Sequence, residues 1–211
     1  MRGVLITFEG VEGSGKTTQA QLLVEYLRGK GVEAIFTREP GGTEIGERVR
    51  EIVPDPKIER MDALAELFLY LASRTQLVRE KLMPALAAGK VVVSDRFTDS
   101  SVAYQGYGRG LGERLVSRLN KIATRGLKPD LTVFIDVPVG VGSKRKQGKP
   151  DRLEKEREEF HRLVRAGYLK IAQRAKGRIK IVNGERTKEE IQSEIGSLVE
   201  GFLERKGVLR K

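Results

Sequence analysis

Eight residues near the N-terminus have the types and the spacing of a loop that binds nucleotide phosphates. Gly10–Thr17 reads GVEGSGKT, which matches the Walker A pattern between a predicted strand and a predicted helix. Its glycines let backbone amides turn toward phosphate oxygens, and the following helix presents its positive end. Lys16 is expected to reach the β- and γ-phosphates, and the Thr17 hydroxyl is expected to bind Mg²⁺. The residues predicted to bind ATP are Gly10, Val11, Glu12, Gly13, Ser14, Gly15, Lys16, Thr17 and Thr18.

A Walker A motif does not by itself distinguish a kinase from a GTPase, an ATPase or a transporter subunit. The guanine-reading pattern Asn-Lys-x-Asp is missing from the sequence, because Asn120–Ala123 reads NKIA and lacks the aspartate. The transporter pattern Leu-Ser-Gly-Gly-Gln is missing as well. The reaction therefore has to be inferred from the residues that would meet the second substrate.

Two polar segments follow predicted strands and have the character of an anion site. Thr37–Thr43 reads TREPGGT, which sets Arg38 at a strand end beside a proline and two glycines. Residues 95–106 read DRFTDSSVAYQG, in which Asp95 can face Mg²⁺ or its waters and Arg96 can face phosphate. The hydroxyls and the amide of Gln105 can pair with the edge of a base. Either segment alone could be a polar turn with a surface ion pair, but together they indicate a phosphorylated acceptor.

A basic, glycine-bounded loop follows the fourth predicted strand, where residues 142–152 read GSKRKQGKPDR. A solvated run of charges is one interpretation of this loop. Phosphoryl transfer, however, requires cations over the migrating group and the exclusion of water, and a closing lid provides both. The other interpretation is therefore a lid loop over about residues 140–153.

Short apolar runs alternate with longer helical patterns along the chain. The runs that read as buried strands are Val4–Phe8, Val32–Phe36, Val91–Val93, Leu131–Ile135 and Ile179–Val182. The helical patterns are Lys16–Arg28, Asp62–Leu82, Leu111–Arg125, Glu154–Lys176 and a last helix after a capping box of Thr187 and Glu190. This alternation predicts an α/β fold with a parallel five-stranded sheet flanked by helices in three layers. Ligands of such sheets bind beyond the carboxyl ends of the strands, where Glu9, Asp95, Asp136 and Asn183 emerge.

Composition favours one domain that acts on anions in the cytoplasm. A chain of 211 residues can bury one substantial core, so a single domain is expected over residues 1–211. No run approaches the roughly 18 apolar residues of a membrane span, no signal peptide precedes the first strand pattern, and cysteine is absent. The net charge of +11 suits nucleic acid or free nucleotides. Because only 6% of residues are aromatic and tryptophan is absent, a nucleic-acid-binding protein is disfavoured.

These segments resemble those of the thymidylate kinase family, in its bacterial form with a basic lid. REPGGT at Arg38–Thr43 is the most specific marker, because other nucleotide kinases do not share it. The resemblance implies the P-loop nucleoside monophosphate kinase fold and the transfer of a phosphoryl group from ATP to dTMP, which gives ADP and dTDP for dTTP biosynthesis. It also implies a homodimer. A P-loop kinase for another nucleoside monophosphate, or a regulatory subunit without catalysis, stays open. Further matching segments are Glu66–Arg74, Ala123–Gly126 and Pro129–Asp130.

The resemblance implies roles for the residues that would meet the phosphate and sugar of dTMP. Arg38 and Arg96 would hold the phosphate, with Pro40 of the REPGGT segment beside them. Glu12 would approach the sugar 3′-hydroxyl. Tyr104 would crowd the 2′ position, which would favour deoxyribose.

The resemblance also implies which residues would recognise the base. Tyr70 would stack on thymine; phenylalanine is more usual there, but tyrosine keeps the ring face. Arg74, one helical turn later, would reach the base, and Ser101 and Gln105 would read its edge. Helical spacing alone would instead assign Tyr70 and Phe68 to core packing.

The catalytic cations implied by the resemblance are Lys16, Arg96 and Arg145. In this family the lid supplies arginine where the phosphate loop does not, and Gly13 stands where some relatives carry arginine. With Mg²⁺, these cations would neutralise the γ-phosphoryl group as it passes between two oxygens. A strong general base is not required, because the acceptor phosphate is already anionic.

A hydroxyl, two carboxylates and a loop after the last strand complete the predicted site. Thr17 and Asp95 would hold Mg²⁺, and Glu9 and Asp95 would orient metal-bound water and the arginines. Asn183–Arg186, after the last predicted strand, is a candidate contact for adenine.

Overall fold

Five strands form one parallel sheet in the computed structural model of the chain, which describes residues 2–145 and 150–209. The strands are β1 (Val4–Glu9), β2 (Ala34–Arg38), β3 (Val91–Asp95), β4 (Leu131–Asp136) and β5 (Ile179–Asn183). Their order across the sheet is β2-β3-β1-β4-β5, and neighbouring strands are parallel. The central strand β1 is buried along its whole length, which explains its almost uninterrupted apolar run. The predicted parallel five-stranded sheet is confirmed.

The second strand begins later than its apolar run predicts. The backbone amide of Val32 still donates to the Leu27 carbonyl at 3.0 Å, so Val32 belongs to the turn that ends the first helix. The strand begins at Ala34 and continues to Arg38, and the predicted boundaries at residues 32 and 36 are wrong by two residues at each end. As a result Arg38 is the last residue of a strand.

Helices cover both faces of the sheet. They are α1 (Lys16–Gly29), α2 (Glu44–Ile52), α3 (Ala63–Leu77), α4 (Met83–Ala87), α5 (Thr98–Ser101), α6 (Glu113–Ala123), α7 (Val141–Arg145), α8 (Glu158–Arg174) and α9 (Lys188–Arg205). Wider π-helical turns at Val78–Leu82 and Val102–Gly108 continue α3 and α5. The helix predicted over residues 62–82 is helical throughout from Ala63, but its last turn is π-helical; α2, α4, α5 and α7 were not predicted. The predicted capping box before α9 is confirmed.

Alternate residues of the strands face two apolar layers. Val4, Ile6 and Phe8 of β1 pack with α1 and α9 on one face. Leu5 of β1 and Phe134 of β4 face the other side, where α3, α6 and α8 pack. The three-layer α/β fold is thereby confirmed. Within residues 2–145 and 150–209, no helix has the length and hydropathy of a membrane span.

The carboxyl ends of the strands meet at one edge of the sheet. Asp95 of β3 is in register with Phe8 of β1 on one side and Arg38 of β2 on the other. Asp136 of β4 is likewise in register with Asn183 of β5. Parallel strands bring their polar last residues together in this way, and the resulting edge is where the fold can place a site.

Candidate active site at the carboxyl edge of the sheet

The loop between β1 and α1 is built from glycines in left-handed backbone conformations. Gly10, Gly13 and Gly15 have φ angles of 149°, 69° and 90°, which residues other than glycine rarely adopt. The buried Lys16 begins α1 and folds back over the loop, where its ammonium donates to the Val11 carbonyl at 2.8 Å. The loop thus places a lysine and the amino end of a helix side by side, an arrangement that suits phosphate.

Arg96 lies at the centre of the site, directly after β3. Its φ of 71° is left-handed and unusual for a residue with a side chain, and its backbone amide donates to the Phe8 carbonyl at 2.9 Å. Nη2 of Arg96 donates to Glu12 Oε1 at 2.7 Å, and the guanidinium carbon lies 4.9 Å from the centre of the Tyr104 ring. The turn after β3 therefore aims this guanidinium across the strand ends toward the phosphate loop.

The charges of the site alter the ionisation of its members. Burial alone would raise the pKa of Glu12, but the charges of Arg96 and Lys16 lower it overall. The Tyr104 hydroxyl donates to the other oxygen of Glu12, Oε2, at 2.6 Å. Burial, followed by the charge of Arg96, lowers the pKa of Lys16 to about 8. Two cations close to each other are costly to bury, and a polyanionic ligand would relieve that cost.

Oxygen groups that suit a hard divalent cation lie beside the loop. The Thr17 hydroxyl donates to Oδ2 of Asp95, while Asp95 Oδ1 and the Ser14 hydroxyl are buried and have no hydrogen-bond partner among the described residues. Magnesium prefers oxygen ligands and commonly takes one carboxylate together with substrate phosphates, so these residues fit that ion. The described residues form no cluster of three or more His, Cys, Asp or Glu side chains that could bind a metal without a substrate.

The phosphate loop and α7 approach each other through two glycines. A Cβ at Gly13 would lie 2.0 Å from the Gly142 carbonyl oxygen, and a Cβ at Gly142 would lie 2.0 Å from the Glu12 carbonyl oxygen. Both atoms belong to the backbone, so neither can move aside alone. Hence no side chain fits at Gly13 in this arrangement.

Arg38 lies at the outer edge of the site and is paired with a carboxylate. Its Nη2 donates to Glu47 Oε2 at 3.0 Å, and its side chain is 43% exposed. Sequence patterns missed a second cation here, Arg50 on α2, which donates to the Pro40 carbonyl at 3.1 Å. Burial and then the charge of Arg38 lower the pKa of Arg50, which indicates that the two guanidinium groups lie close together.

Arg74 is fully buried, and all five of its N–H groups have acceptors. Nε and one N–H of Nη2 are directed to Glu39 Oε2, at 2.7 and 2.5 Å. The other donations go to Ser101 Oγ, Asn120 Oδ1 and the Phe97 carbonyl at 2.9, 2.5 and 3.0 Å. A base that bonded to Arg74 would have to replace one of these acceptors. The contact with Asn120 was not predicted from the sequence, because Asn120 lies on α6 and only the fold brings it to Arg74.

One cavity joins most of the predicted substrate residues. Its lining residues are Glu12, Glu39, Tyr70, Arg74, Arg96, Ser100, Ser101, Tyr104 and Leu153. The predicted residues Arg38, Pro40 and Gln105 are not part of this lining, and Gln105 donates instead to Glu66 Oε1 at 2.8 Å behind the wall. Half-buried Tyr70 lines the cavity, whereas Phe68 is 52% exposed, so core packing is wrong for Phe68.

The lid predicted at about residues 140–153 is described in part, and residues 146–149 lie outside the described residues. Arg145 donates from Nη1 to the Gly184 carbonyl at 2.8 Å, which brings it to the loop predicted to contact adenine. The Asp136 carboxylate that ends β4 accepts from Nε and Nη2 of Arg165, at 2.7 and 2.8 Å. This strand-end aspartate is therefore occupied by a structural ion pair.

Glu9 ends β1 in a fully buried polar network. The Phe97 amide donates to its Oε1 at 2.9 Å, and the hydroxyls of Ser100 and Tyr168 donate to Oε2. Burial and then the charge of Asp99 raise the pKa of Glu9 from 4.5 to about 7, although the Ser100 hydrogen bond opposes the rise. Tyr168 comes from α8, far along the chain, and no local motif predicted it.

Stability is expected to respond to the protonation of Glu9. The folded chain keeps a proton on Glu9 between about pH 4.5 and 7 that the unfolded chain releases, so this contribution is lost as the pH rises through that range. Glu9→Gln should unfold like the wild type at pH 5 and be more stable at pH 8 by roughly 1–3 kcal/mol. Urea unfolding at both pH values measures the difference. The exposed Glu51→Gln serves as the control, and parallel profiles for Glu9→Gln and wild type would contradict the prediction.

Comparison with known proteins agrees with this geometry. The family model described as thymidylate kinase matches residues 8–195. The thymidylate kinase of Caldanaerobacter subterraneus subsp. tengcongensis is 47% identical over 204 residues, covering 96% of this chain and 98% of the relative. That of Carboxydothermus hydrogenoformans is 49% identical over 204 residues, covering 96% and 99%. The crystal structure of thymidylate kinase from Ehrlichia chaffeensis superposes with a TM-score of 0.78 at 34% identity, covering 94% of this chain and 99% of that one.

Proposed function

The chain belongs to the thymidylate kinase family and transfers a phosphoryl group from ATP to dTMP, and we propose that the residues at the carboxyl edge of its sheet carry this reaction in the following way. The observation that supports the proposal most directly is the meeting of the phosphate loop with Arg96. Arg96 reaches from β3 to Glu12 of the loop, so one guanidinium lies between the donor side and the acceptor cavity.

The acceptor phosphate binds between Arg96 and Arg38, and Arg50 adds a third cation. Arg38 is held by Glu47, and a dianionic phosphate competes well for such a guanidinium because its hydrogen bonds are charge-assisted. Burial and then the charge of Arg38 lower the pKa of Arg50 below its ordinary value, so an anion between the two guanidinium groups would stabilise both.

The nucleoside of dTMP fills the cavity beyond the phosphate. Tyr70 stacks on the base, Arg74 and Ser101 line the cavity beside its edge, and Gln105, outside that lining, completes the set that reads the edge. Tyr104 and Glu12 face the sugar, and their mutual hydrogen bond at 2.6 Å holds the Tyr104 ring where a 2′-hydroxyl would meet it. Pro40 lies outside the lining of this cavity, on the Arg38 side, where its carbonyl accepts from Arg50.

Thr17 and Asp95 hold Mg²⁺, with support from the unpaired Asp95 Oδ1 and Ser14 hydroxyl. When bound, Mg²⁺ neutralises charge on the phosphates of ATP. Lys16, Arg96 and Arg145 neutralise charge on the γ-phosphoryl group as it passes from ADP to the acceptor oxygen. Glu9 takes no proton from the substrate. It fixes the Phe97 amide and Ser100, which border Arg96.

The whole chain acts as one domain over residues 1–211, in the cytoplasm, on free nucleotides rather than nucleic acid. ATP is the phosphoryl donor, and adenine contacts the Asn183–Arg186 loop. Arg145 supports this placement, since it reaches the Gly184 carbonyl of that loop.

Acceptor preference tests the proposal. ADP release from ATP and Mg²⁺ is expected to be fastest with dTMP, when compared with dUMP, UMP, dCMP, dGMP and AMP. A different preferred acceptor would favour the alternative, a P-loop kinase for another nucleoside monophosphate, and would remove the assignments of Tyr70, Ser101 and Gln105. If none of these acceptors gives ADP release above background, the result would favour a regulatory subunit without catalysis.

The chain acts as a homodimer through an apolar helix face. The face consists of Ile45 and Ile52 on α2, Leu64 and Phe68 on α3, and Leu115 and Ile122 on α6, all between 37% and 68% exposed. These helices pack side by side, α2 on α3 and α3 on α6, so the six exposed side chains lie on neighbouring helices. Exposed apolar side chains grouped on neighbouring helices suit an interface between subunits.

Phe68→Glu is expected to convert the dimer to a monomer. A carboxylate in the middle of the apolar helix face would be buried without a partner on association. Sedimentation velocity should give twice the mass of one chain for the wild type and the mass of one chain for the variant. Leu163→Glu, at a 44% exposed leucine on α8, is the control and should stay dimeric. A monomeric wild type at micromolar concentration would contradict the prediction.

A further inference from the structure

Glu66 on α3 is a fully buried carboxylate to which the proposed function gives no role. Gln105 Nε2 donates to its Oε1 at 2.8 Å, and Arg152 Nη2 donates to its Oε2 at 2.6 Å. Arg109 donates to both oxygens, at 3.3 and 3.1 Å. One carboxylate thus joins Gln105, which is proposed to read the base, to Arg152 near the end of the predicted lid segment, and its burial is compensated by two arginines.

Glu66 is ionised, and this fixes the direction of the Gln105 amide. Burial alone would raise the pKa of Glu66, but the hydrogen bonds from Gln105 and Arg109, and then from Arg152, lower it overall. An ionised carboxylate only accepts hydrogen bonds. Gln105 therefore turns its amide nitrogen toward Glu66, which leaves its carbonyl oxygen as the atom that can accept a hydrogen bond from a base.

An acceptor at this position distinguishes between pyrimidines. Thymine carries a hydrogen on N3 and donates there, whereas cytosine has a bare N3 that accepts. A Gln105 carbonyl that faces the base edge therefore pairs with thymine and opposes cytosine. The inference rests on the proposed role of Gln105 in reading the base.

The second partner, Arg152, belongs to a turn that closes on itself. The Leu153 and Glu154 amides both donate to Asp151 Oδ1 at 2.9 Å, and the Asp151 amide donates to Glu154 Oε2 at 3.0 Å. This reciprocal arrangement, which we call the 151–154 turn, fixes the directions of the two residues between its ends. Leu153 is directed into the acceptor cavity.

The 151–154 turn is attached to the body of the protein through Arg152. The Arg152 amide donates to the Pro54 carbonyl at 3.0 Å, and its Nε donates to the Val53 carbonyl at 2.8 Å. The bond from Nη2 to Glu66 is the charged member of this set. Glu66 therefore holds the turn that sets Leu153 over the nucleoside.

We propose that Glu66 is a positioning residue that selects the pyrimidine and secures the acceptor cavity at once. Through Gln105 it presents an acceptor to N3 of the base, and through Arg152 it holds the 151–154 turn over the cavity. Neither task involves contact between Glu66 and the substrate.

The variant Glu66→Gln separates these tasks. Glutamine has one acceptor oxygen, and the two arginines compete best for it because charge-assisted hydrogen bonds are about twice as strong as neutral ones. The new amide nitrogen then faces Gln105, which must flip and present its own nitrogen to the base. The ratio of kcat/KM for dTMP to that for dCMP is expected to fall at least about tenfold, while KM for ATP changes less than about twofold.

Arg152→Met tests the other arm of the proposal. It leaves the Gln105–Glu66 bond in place, so kcat/KM for dTMP should fall about tenfold with the dTMP-to-dCMP ratio retained. Hydrogen exchange of residues 150–157 should be faster in Arg152→Met than in the wild type, because the 151–154 turn is released. Glu156→Gln, a nearby acid that pairs with Arg109, is the control and should change neither readout.

The outcomes separate this inference from the proposed function. A wild type that prefers dTMP, with an unchanged ratio in Glu66→Gln, overturns the inference alone. A wild type without preference for dTMP over dCMP overturns both. An equal loss with both acceptors in Glu66→Gln shows a structural role only and overturns the inference. If Glu66→Gln fails to fold because its arginines lack a partner, the double variant Glu66→Gln/Arg109→Gln carries the same measurement.

Discussion

Lys16→Met is expected to lower kcat by about a thousandfold or more, with a smaller change in KM for ATP. Lys16 is buried against the phosphate loop and is still a cation at pH 7, because its pKa, lowered by burial and then by Arg96, lies at about 8. The charge on the γ-phosphoryl group is greatest during transfer, so a missing cation costs more in the transition state than in the bound substrate. Steady-state ADP release with saturating dTMP measures the effect.

The control for this variant is Lys90→Met, at the opposite end of the sheet, where Lys90 pairs with Glu33 at 3.1 Å. It should keep the kcat of the wild type. Methionine is close to lysine in length, and relief of the repulsion between Lys16 and Arg96 offsets the lost contacts with Val11 and the nearby carboxylates, so Lys16→Met should stay folded at the assay temperature. A kcat within about tenfold of the wild type would remove Lys16 from the catalytic residues.

Arg96→Lys is expected to lower kcat/KM for dTMP by about a hundredfold to a thousandfold although the charge is kept. The guanidinium of Arg96 donates from Nη1 to Ser100 Oγ at 3.1 Å and from Nη2 to Glu12 Oε1 at 2.7 Å. It also lies over the Tyr104 ring. An ammonium is a point charge and cannot keep this planar set of contacts while it also binds a phosphate.

The left-handed backbone at residue 96 is equally unfavourable for arginine and lysine, so the variant isolates the side chain. Its effect should appear in KM for dTMP and in kcat, and KM for ATP should change least. The exposed Arg162→Lys on α8, whose arginine pairs with Glu158, is the control. An Arg96→Lys enzyme with wild-type kcat/KM would show that charge alone suffices there.

The strands could be predicted because buried parallel strands are apolar along their length. β1 and β3 are fully buried, and their runs are unmistakable in the sequence. The helices were harder for a physical reason. The π-helical turn at Val78–Leu82 keeps the apolar spacing of the flanking helices, so periodicity alone reads the region as one helix. α2 has nine residues and only two of them buried, which leaves little pattern to detect.

Site residues that belong to sequence motifs could be predicted, whereas site residues that the fold brings in from distant parts of the chain could not. Glu12 and Arg96 belong to recognisable segments and lie together in the cavity. Arg50 stands one helix away from Arg38, and only the fold of α2 over the REPGGT loop brings the two together. Tyr168 reaches Glu9 from α8, a contact between residues far apart in the sequence.

The paired glycines at residues 13 and 142 limit how this enzyme could be redesigned. Grafting an arginine into the phosphate loop at position 13 would drive a Cβ into the backbone of α7, so the graft would also require rebuilding the segment that leads into the lid. An arginine in the phosphate loop therefore cannot simply replace one supplied from the segment after β4 in this protein. Since the two backbones meet without an intervening side chain, the phosphate loop cannot move toward α7 unless α7 is displaced as well.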